Sequence, residues 1–130
     1  VGYVVMSEKL ATEYEKINTP FAVTVFGQKL APLALNDRTF MQESQKRIGQ
    51  LKLRVCDACR QLKVLNTAME VPILTLEHPD PQSNLYQAFL EQGIVTVPGS
   101  AFESLDNRHV RLRIPEDPEP VINAIHRIEV

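Results

Sequence analysis

The sequence predicts an α+β domain in which a small sheet is covered on one side by helices, one of them long. Three observations carry that expectation. Apolar and polar residues alternate through RHVRLRIP at 108–115, which is the period of a half-buried strand. Met41, Ile48, Leu51, Val55, Ala58 and Leu62 recur at helical spacing, the seam of a long amphipathic helix. Strand-like and helix-like stretches follow one another with no repeat or low-complexity segment between them.

Taken in order, Gly2–Met6 reads as a short apolar strand and Ser7 as the N-cap of a helix to about Ile17. Asn18-Thr19-Pro20 breaks that helix. Residues 21–35 are mixed and apolar, helical in their second half, with Pro32 expected to kink or end them. Thr39 and Gln42 fit a capping box for the long helix, which the seam carries to about Leu62, roughly 24 residues or about 36 Å. Its other face, with Gln45, Lys46, Arg47, Gln50, Arg54 and Arg60, is a solvated one. Lys63–Met69 and Val71–Glu77 read as two strands joined at a bend. Asp80 caps a helix with Pro81 in its first turn and Gly93 as its stop. A short buried strand at 94–97 ends at Pro98-Gly99, and Val110–Ile114 is the next strand. Asp117-Pro118 starts a last helix whose Val121, Ile122, Ile125 and Ile128 face inward.

Composition narrows the function classes. A chain of 130 residues, 44% hydrophobic and 23% charged, has the size and balance of one globular domain, which excludes disordered, collagenous and coiled-coil readings. A net charge of -2 advertises neither nucleic acid nor an anionic membrane as partner. The chain has no apolar run of membrane-spanning length and starts without the basic region of a signal peptide, so a cytoplasmic protein is expected. It begins with valine in the middle of a strand-like run, which reads as a piece of something longer.

Cys56 and Cys59 form a C-x-x-C inside LRVCDACRQL. A redox pair would stand at the start of a helix that follows a strand, whereas this one falls mid-helix beside the buried seam. A zinc site needs four ligands, and His78, His109 and His126 are scattered. Two structural thiols and no metal site are expected.

The strand at 108–115 carries the most chemistry. Val110, Leu112 and Ile114 point one way and His109, Arg111 and Arg113 the other. A guanidinium offers a planar fork that holds a carboxylate or phosphate through two parallel bonds. Strand arginines also serve solubility and discourage edge pairing, so the pattern alone leaves both readings open.

The context of that strand resembles a known family. VTVPGSAFESLDNRHVRLRIP is similar to the C-terminal part of class I/II, fold-type I aminotransferases that use pyridoxal phosphate. Their pattern of V-x-P-G-x-x-F, a short polar loop and V-R-L is met by Val97, Pro98, Gly99 and Phe102, then Val110, Arg111 and Leu112. VGYVV at 1–5 resembles the segment that follows the family's cofactor lysine and phosphate-binding arginine. INTPFAVTVFGQKLAPLAL resembles the histidinol-phosphate aminotransferase branch, with Pro20, Phe21 and Gln28 in the matching places. The resemblance covers the whole chain.

It implies an aminotransferase small domain at 36–130, preceded at 1–35 by a remnant of the large cofactor-binding domain. It implies that Arg111 binds the substrate α-carboxylate, fixing the rotation of the reacting Cα–H bond against the cofactor ring. Arg113 stands on the same face where many members have a small residue, and is either a secondary anion contact or a solvent-facing charge. Glu103 follows Phe102 where glycine is frequent, and Ser104–Asn107 has no glycine. Asn18 and Thr19 occupy the neighbourhood of the second arginine of aspartate-type members, which disfavours a dicarboxylate substrate. None of Lys9, Lys16, Lys29, Lys46, Lys52 and Lys63 lies in the family's Ser-Lys context. The resemblance therefore implies a fragment inactive by itself, with no catalytic or cofactor-binding residue of its own and no pyridoxal phosphate bound to it. The parent enzyme would be a homodimer acting on an amino acid and a 2-oxo acid. Two alternatives stay open: a fragment of a pyridoxal-phosphate-dependent decarboxylase of a phosphorylated amino acid, and a non-catalytic α+β binding module.

Overall fold

The computed structural model describes residues 1–19 and 21–130, so the proline of the expected break at 18–20 lies outside the described residues. The chain divides into two compact units, Val1–Met41 and Gln42–Val130.

In the first unit, residues 1–6 pair with no strand. The strand expected at Gly2–Met6 is therefore corrected to an unpaired lead, with Val1, Tyr3, Val4 and Val5 exposed. Alternation of side chains cannot make a strand without a neighbour to accept its backbone bonds. Ser7 caps α1 (Glu8–Glu15), its Oγ accepting from the Leu10 N–H at 3.5 Å. Thr24 caps α2 (Val25–Asn36) in the same way, through the Gly27 N–H at 3.1 Å. Pro32 lies inside α2 and does not end it. The carbonyl it leaves without an N–H donor belongs to Gln28, which is exposed and open to water. Neither helix has a buried residue.

α3 (Arg38–Ala58) is 21 residues long, about 31 Å. Its N-terminus is capped by Asp37, whose Oδ1 accepts from the Phe40 N–H at 2.9 Å, in place of the expected box from Thr39. It ends at Ala58 instead of Leu62, because the next N–H groups turn away to a carboxylate. Glu129 Oε1 accepts from Arg60, Gln61 and Leu62 at 2.9, 2.8 and 2.7 Å. Cys56 thus lies in the last turn and Cys59 just beyond it, so the pair is at the helix end and not at its middle.

The second unit is built on an antiparallel sheet of four strands in the order β1-β2-β4-β3. The strands are β1 (Lys63–Val64), β2 (Ile73–Glu77), β3 (Val97–Pro98) and β4 (His109–Arg113). The expected strands at 63–69 and 71–77 are correct in place but shorter, since residues 65–72 form a loop, and they pair antiparallel. α4 (Leu85–Glu91) starts later than expected, at an Asn84 cap, because Asp80 Oδ1 is used in a local turn to the Gln82 N–H. Gly93 stops it at φ +77, a left-handed conformation suited to glycine. The strand at 94–97 is corrected to β3, with Val95 and Val97 exposed and Thr96 buried. α5 (Glu119–Ile128) closes the chain, its first turn met by Asp117 Oδ1.

One face of the sheet holds the core. Leu74, Leu76, Val110 and Leu112 pack with Val55, Leu62, Leu85, Phe89, Val121 and Ile125. Ile122 and Ile128 lie half-buried against it, with Ala124 taking the buried place between them. Among the described residues, five α-helices and a small antiparallel sheet make up the α+β fold that the sequence predicts.

Candidate functional site

The alternation that buries Val110 and Leu112 turns Arg111 to the opposite face of β4, where it is half-buried. β4 is an inner strand, so Arg111 is flanked on both sides, by Thr75 of β2 and Val97 of β3. Its guanidinium carbon lies 5.2 Å from the centre of the Phe102 ring. Among the described residues no carboxylate pairs with it. Of the other arginines, Arg47 pairs with Glu116, Arg54 with Glu119, and Arg108 with Glu77 at 3.0 Å and Asp106 at 3.3 Å, while Arg38, Arg60, Arg113 and Arg127 are exposed and, like Arg111, pair with no carboxylate among the described residues. Arg113 is exposed on the same face, two residues along.

His109 does not stand open beside the arginines, as alternation alone would have it. It is buried, with Nδ1 2.7 Å from Asp106 Oδ1. Burial pushes the Asp106 carboxyl up, but the His109 contact and the Arg108 N–H outweigh it and hold the group below its ordinary range. Glu77 is held low chiefly by its hydrogen bond from Lys63, at 3.0 Å. Lys63, Glu77, Arg108, Asp106 and His109 thus form a chain of contacts that ties the 106–109 approach of β4 to β2. The Pro98-Gly99 turn rests on the same approach. A Cβ on Gly99 would meet the Asp106 carbonyl and come within 2.5 Å of His109 Cβ, so no larger residue fits there.

Lys52 was legible in the sequence only as one lysine among six, and its place is unlike the others. It is fully buried, with Nζ 2.6 Å from Thr67 Oγ1 and 2.8, 3.1 and 2.6 Å from the carbonyls of Ala68, Val71 and Ile73. Burial lowers its pKa, against the opposing pull of Cys56 and Glu70. The signal that could have found it is its spacing: four after Ile48 and three before Val55, a seam position. Of the other lysines, Lys16 pairs with Glu13 and Lys63 with Glu77, while Lys9, Lys29 and Lys46 are exposed on helices.

Cys56 and Cys59 are free thiols, and burial pushes Cys59 up to about 12. Its Sγ donates to the Val55 carbonyl at 3.4 Å. Such a thiol is a packing group and not a nucleophile. Among the described residues no three His, Cys, Asp or Glu side chains gather as metal ligands, and no helix is long and apolar enough to cross a membrane.

An antiparallel sheet with helices on one face, and on the other a half-buried inner-strand arginine after a P-G-x-x-F turn, matches a known class of protein. The chain belongs to the family of class I and II aminotransferases, whose family model matches residues 1–128. Among curated relatives it is similar to histidinol-phosphate aminotransferase 1 of Bacillus cereus, at 22% identity over 128 residues, covering 98% of this chain and 35% of that protein. The same enzyme of Idiomarina loihiensis is 23% identical over 127 residues, with the same coverage of 98% and 35%. Among solved structures, the histidinol-phosphate aminotransferase from Clostridium acetobutylicum shares the fold with a TM-score of 0.73 at 19% identity. That match covers 94% of this chain and 38% of that one. The chain spans about a third of the length of the curated relatives it matches.

Proposed function

We propose that the intact protein is a pyridoxal-phosphate-dependent aminotransferase that moves an amino group between an amino acid and a 2-oxo acid, with Arg111 holding the substrate carboxylate. The observation that carries this reading is the state of Arg111: half-buried on an inner strand and without an anionic partner among the described residues, whereas the half-buried Arg108 has carboxylates and the other arginines without one, Arg38, Arg60, Arg113 and Arg127, are exposed. A fork held in place and left uncompensated is ready for two parallel bonds to a carboxylate. That grip restricts the substrate's rotation and lowers the entropic part of the barrier. Arg113, exposed on the same face, is a secondary contact for a second anionic group. The similarity to histidinol-phosphate aminotransferases favours that branch for the amino-group acceptor and donor pair.

The division into a small domain at 36–130 and a large-domain remnant at 1–35 belongs to the same reading. Pyridoxal phosphate, when bound, supplies the electron sink for cleavage at Cα. The lysines of this chain do not suit it: Lys52 is sealed by four oxygens, Lys16 and Lys63 are paired, and Lys9, Lys29 and Lys46 stand exposed on helices. We assign the cofactor's lysine to the remaining length of the protein, of which these residues are about a third by comparison with the relatives. A homodimer accords with the exposed Tyr3, Phe21, Phe26 and Leu33, and cytoplasmic placement with two free thiols.

Kinetics of the intact protein test the assignment. Arg111→Ala should raise the amino-acid KM by about a hundredfold, as expected for losing a charge-assisted pair, with the cofactor's absorbance intact. Unchanged kinetics would remove Arg111 from the site. Borohydride treatment of the 130-residue chain with pyridoxal phosphate should trap no lysine adduct, and a stoichiometric adduct would overturn the assignment of the lysine elsewhere.

A further inference from the structure

We propose that Phe102 is the positioning residue of Arg111: its ring carries the guanidinium on its face and leaves the fork's edge open to the carboxylate. This rests on the reading of Arg111 as the carboxylate holder. A guanidinium has two kinds of surface. Its faces carry no hydrogen and stack on aromatic rings, while all five N–H groups lie in its plane and point outward from the edge. The guanidinium lies over the Phe102 ring, with Cζ 5.2 Å from the ring centre, and among the described residues none of its N–H groups is bonded to a protein acceptor. The in-plane donors stay available.

The identity of the partner matters. An aspartate or glutamate would also order the long side chain of Arg111, but it would compete with the substrate for the same donors and cancel the charge. A ring orders the arginine by its quadrupole and by contact, and does neither. Arg111 accordingly has an aromatic neighbour and, among the described residues, no carboxylate one, whereas Arg108 on the same approach has two.

The ring is itself held against β4. The Phe102 N–H donates to the Gly99 carbonyl at 2.8 Å, closing the 3-10 turn at Gly99–Ala101. Gly99 lies so close to His109 that an added Cβ would come within 2.5 Å of its Cβ and 2.8 Å of its carbonyl. His109 is buried, bound to Asp106, and two residues before Arg111 on the same strand. Ring and guanidinium therefore spring from one packed block, the ring three residues after Gly99 and the guanidinium two after His109.

The test uses the 130-residue chain, with acetate as the carboxylate probe and the Arg111 Nε–Hε signal, assigned by its loss in Arg111→Lys, as the reporter. In the unsubstituted chain that signal should be displaced by the ring current, and acetate should move it. Phe102→Leu should remove the displacement and weaken acetate binding about two- to fivefold, the size of a partly exposed cation–π contact. Phe102→Tyr should restore both. An undisplaced signal in the unsubstituted chain overturns the proposal, whether or not the leucine variant folds. So does a folded Phe102→Tyr that binds as weakly as the leucine variant. If Phe102→Leu binds acetate undiminished while Arg111→Lys does not, positioning falls and the carboxylate reading stands. If Arg111→Lys binds acetate undiminished, both fall.

Discussion

Lys52 and Arg111 are two cations in the same unit, and their surroundings are opposite. Lys52 has three N–H bonds and four oxygens within 3.1 Å, all supplied by the chain, so its donors are used up in joining α3 to the 65–72 loop and the start of β2. Arg111 has five N–H donors, lies over the Phe102 ring and has no anion among the described residues. Lys52 is answered from within the chain, and on the proposed reading Arg111 is answered by the substrate carboxylate.

The comparison makes its largest prediction at Lys52. Lys52→Met keeps much of the stem but removes the donor that holds four oxygens together, leaving the Thr67–Ile73 and Val71–Ala68 bonds behind, which should cost about 3 kcal/mol in urea unfolding. Arg111→Ala in the same experiment should stay within about 1 kcal/mol, since it breaks only the contact with the Phe102 ring. Equal losses at the two sites would dissolve the contrast. Glu129→Gln is the anionic counterpart of Lys52. Its carboxylate meets three backbone N–H groups at 60–62, and the neutral amide should cost about 1–2 kcal/mol by the same measurement.

Smaller effects sharpen the picture. Cys59 has its pKa raised from 9.0 to about 12, mainly by burial. Between those values the unfolded chain loses the proton first, so stability should hold up to about pH 9 and fall above it. Cys59→Ala should flatten that decline, which a pH series of unfolding curves would show. Ser104 adopts φ 69, a left-handed conformation costly for a residue with a Cβ. Ser104→Gly should raise stability by about 0.5–1 kcal/mol, with the Arg111 face unchanged.

Much of this fold was legible because its signals are local. Ser7, Gly93 and the alternation of 110–114 each act within a few residues, and each lies where the sequence predicts. The misreadings come from partners far along the chain. α3 stops at Ala58 because Glu129 draws away the N–H groups at 60–62, a contact across about seventy positions that no local pattern encodes. Gly2–Met6 has the composition of a strand and no neighbour to pair with in its unit. His109 followed the alternation rule but is buried by Asp106 and Gly99. For the site, the family motif pointed to Arg111, while its stacking on Phe102 and the seat of Lys52 needed the folded chain.

The most direct measurement is a crystal structure of the intact protein with a bound 2-oxo acid. Two parallel bonds of about 2.7–2.9 Å from Arg111 to the carboxylate, with Phe102 still against the guanidinium face, are the predicted result. A carboxylate bound elsewhere, with Arg111 in solvent or paired to a protein acid, would contradict the account.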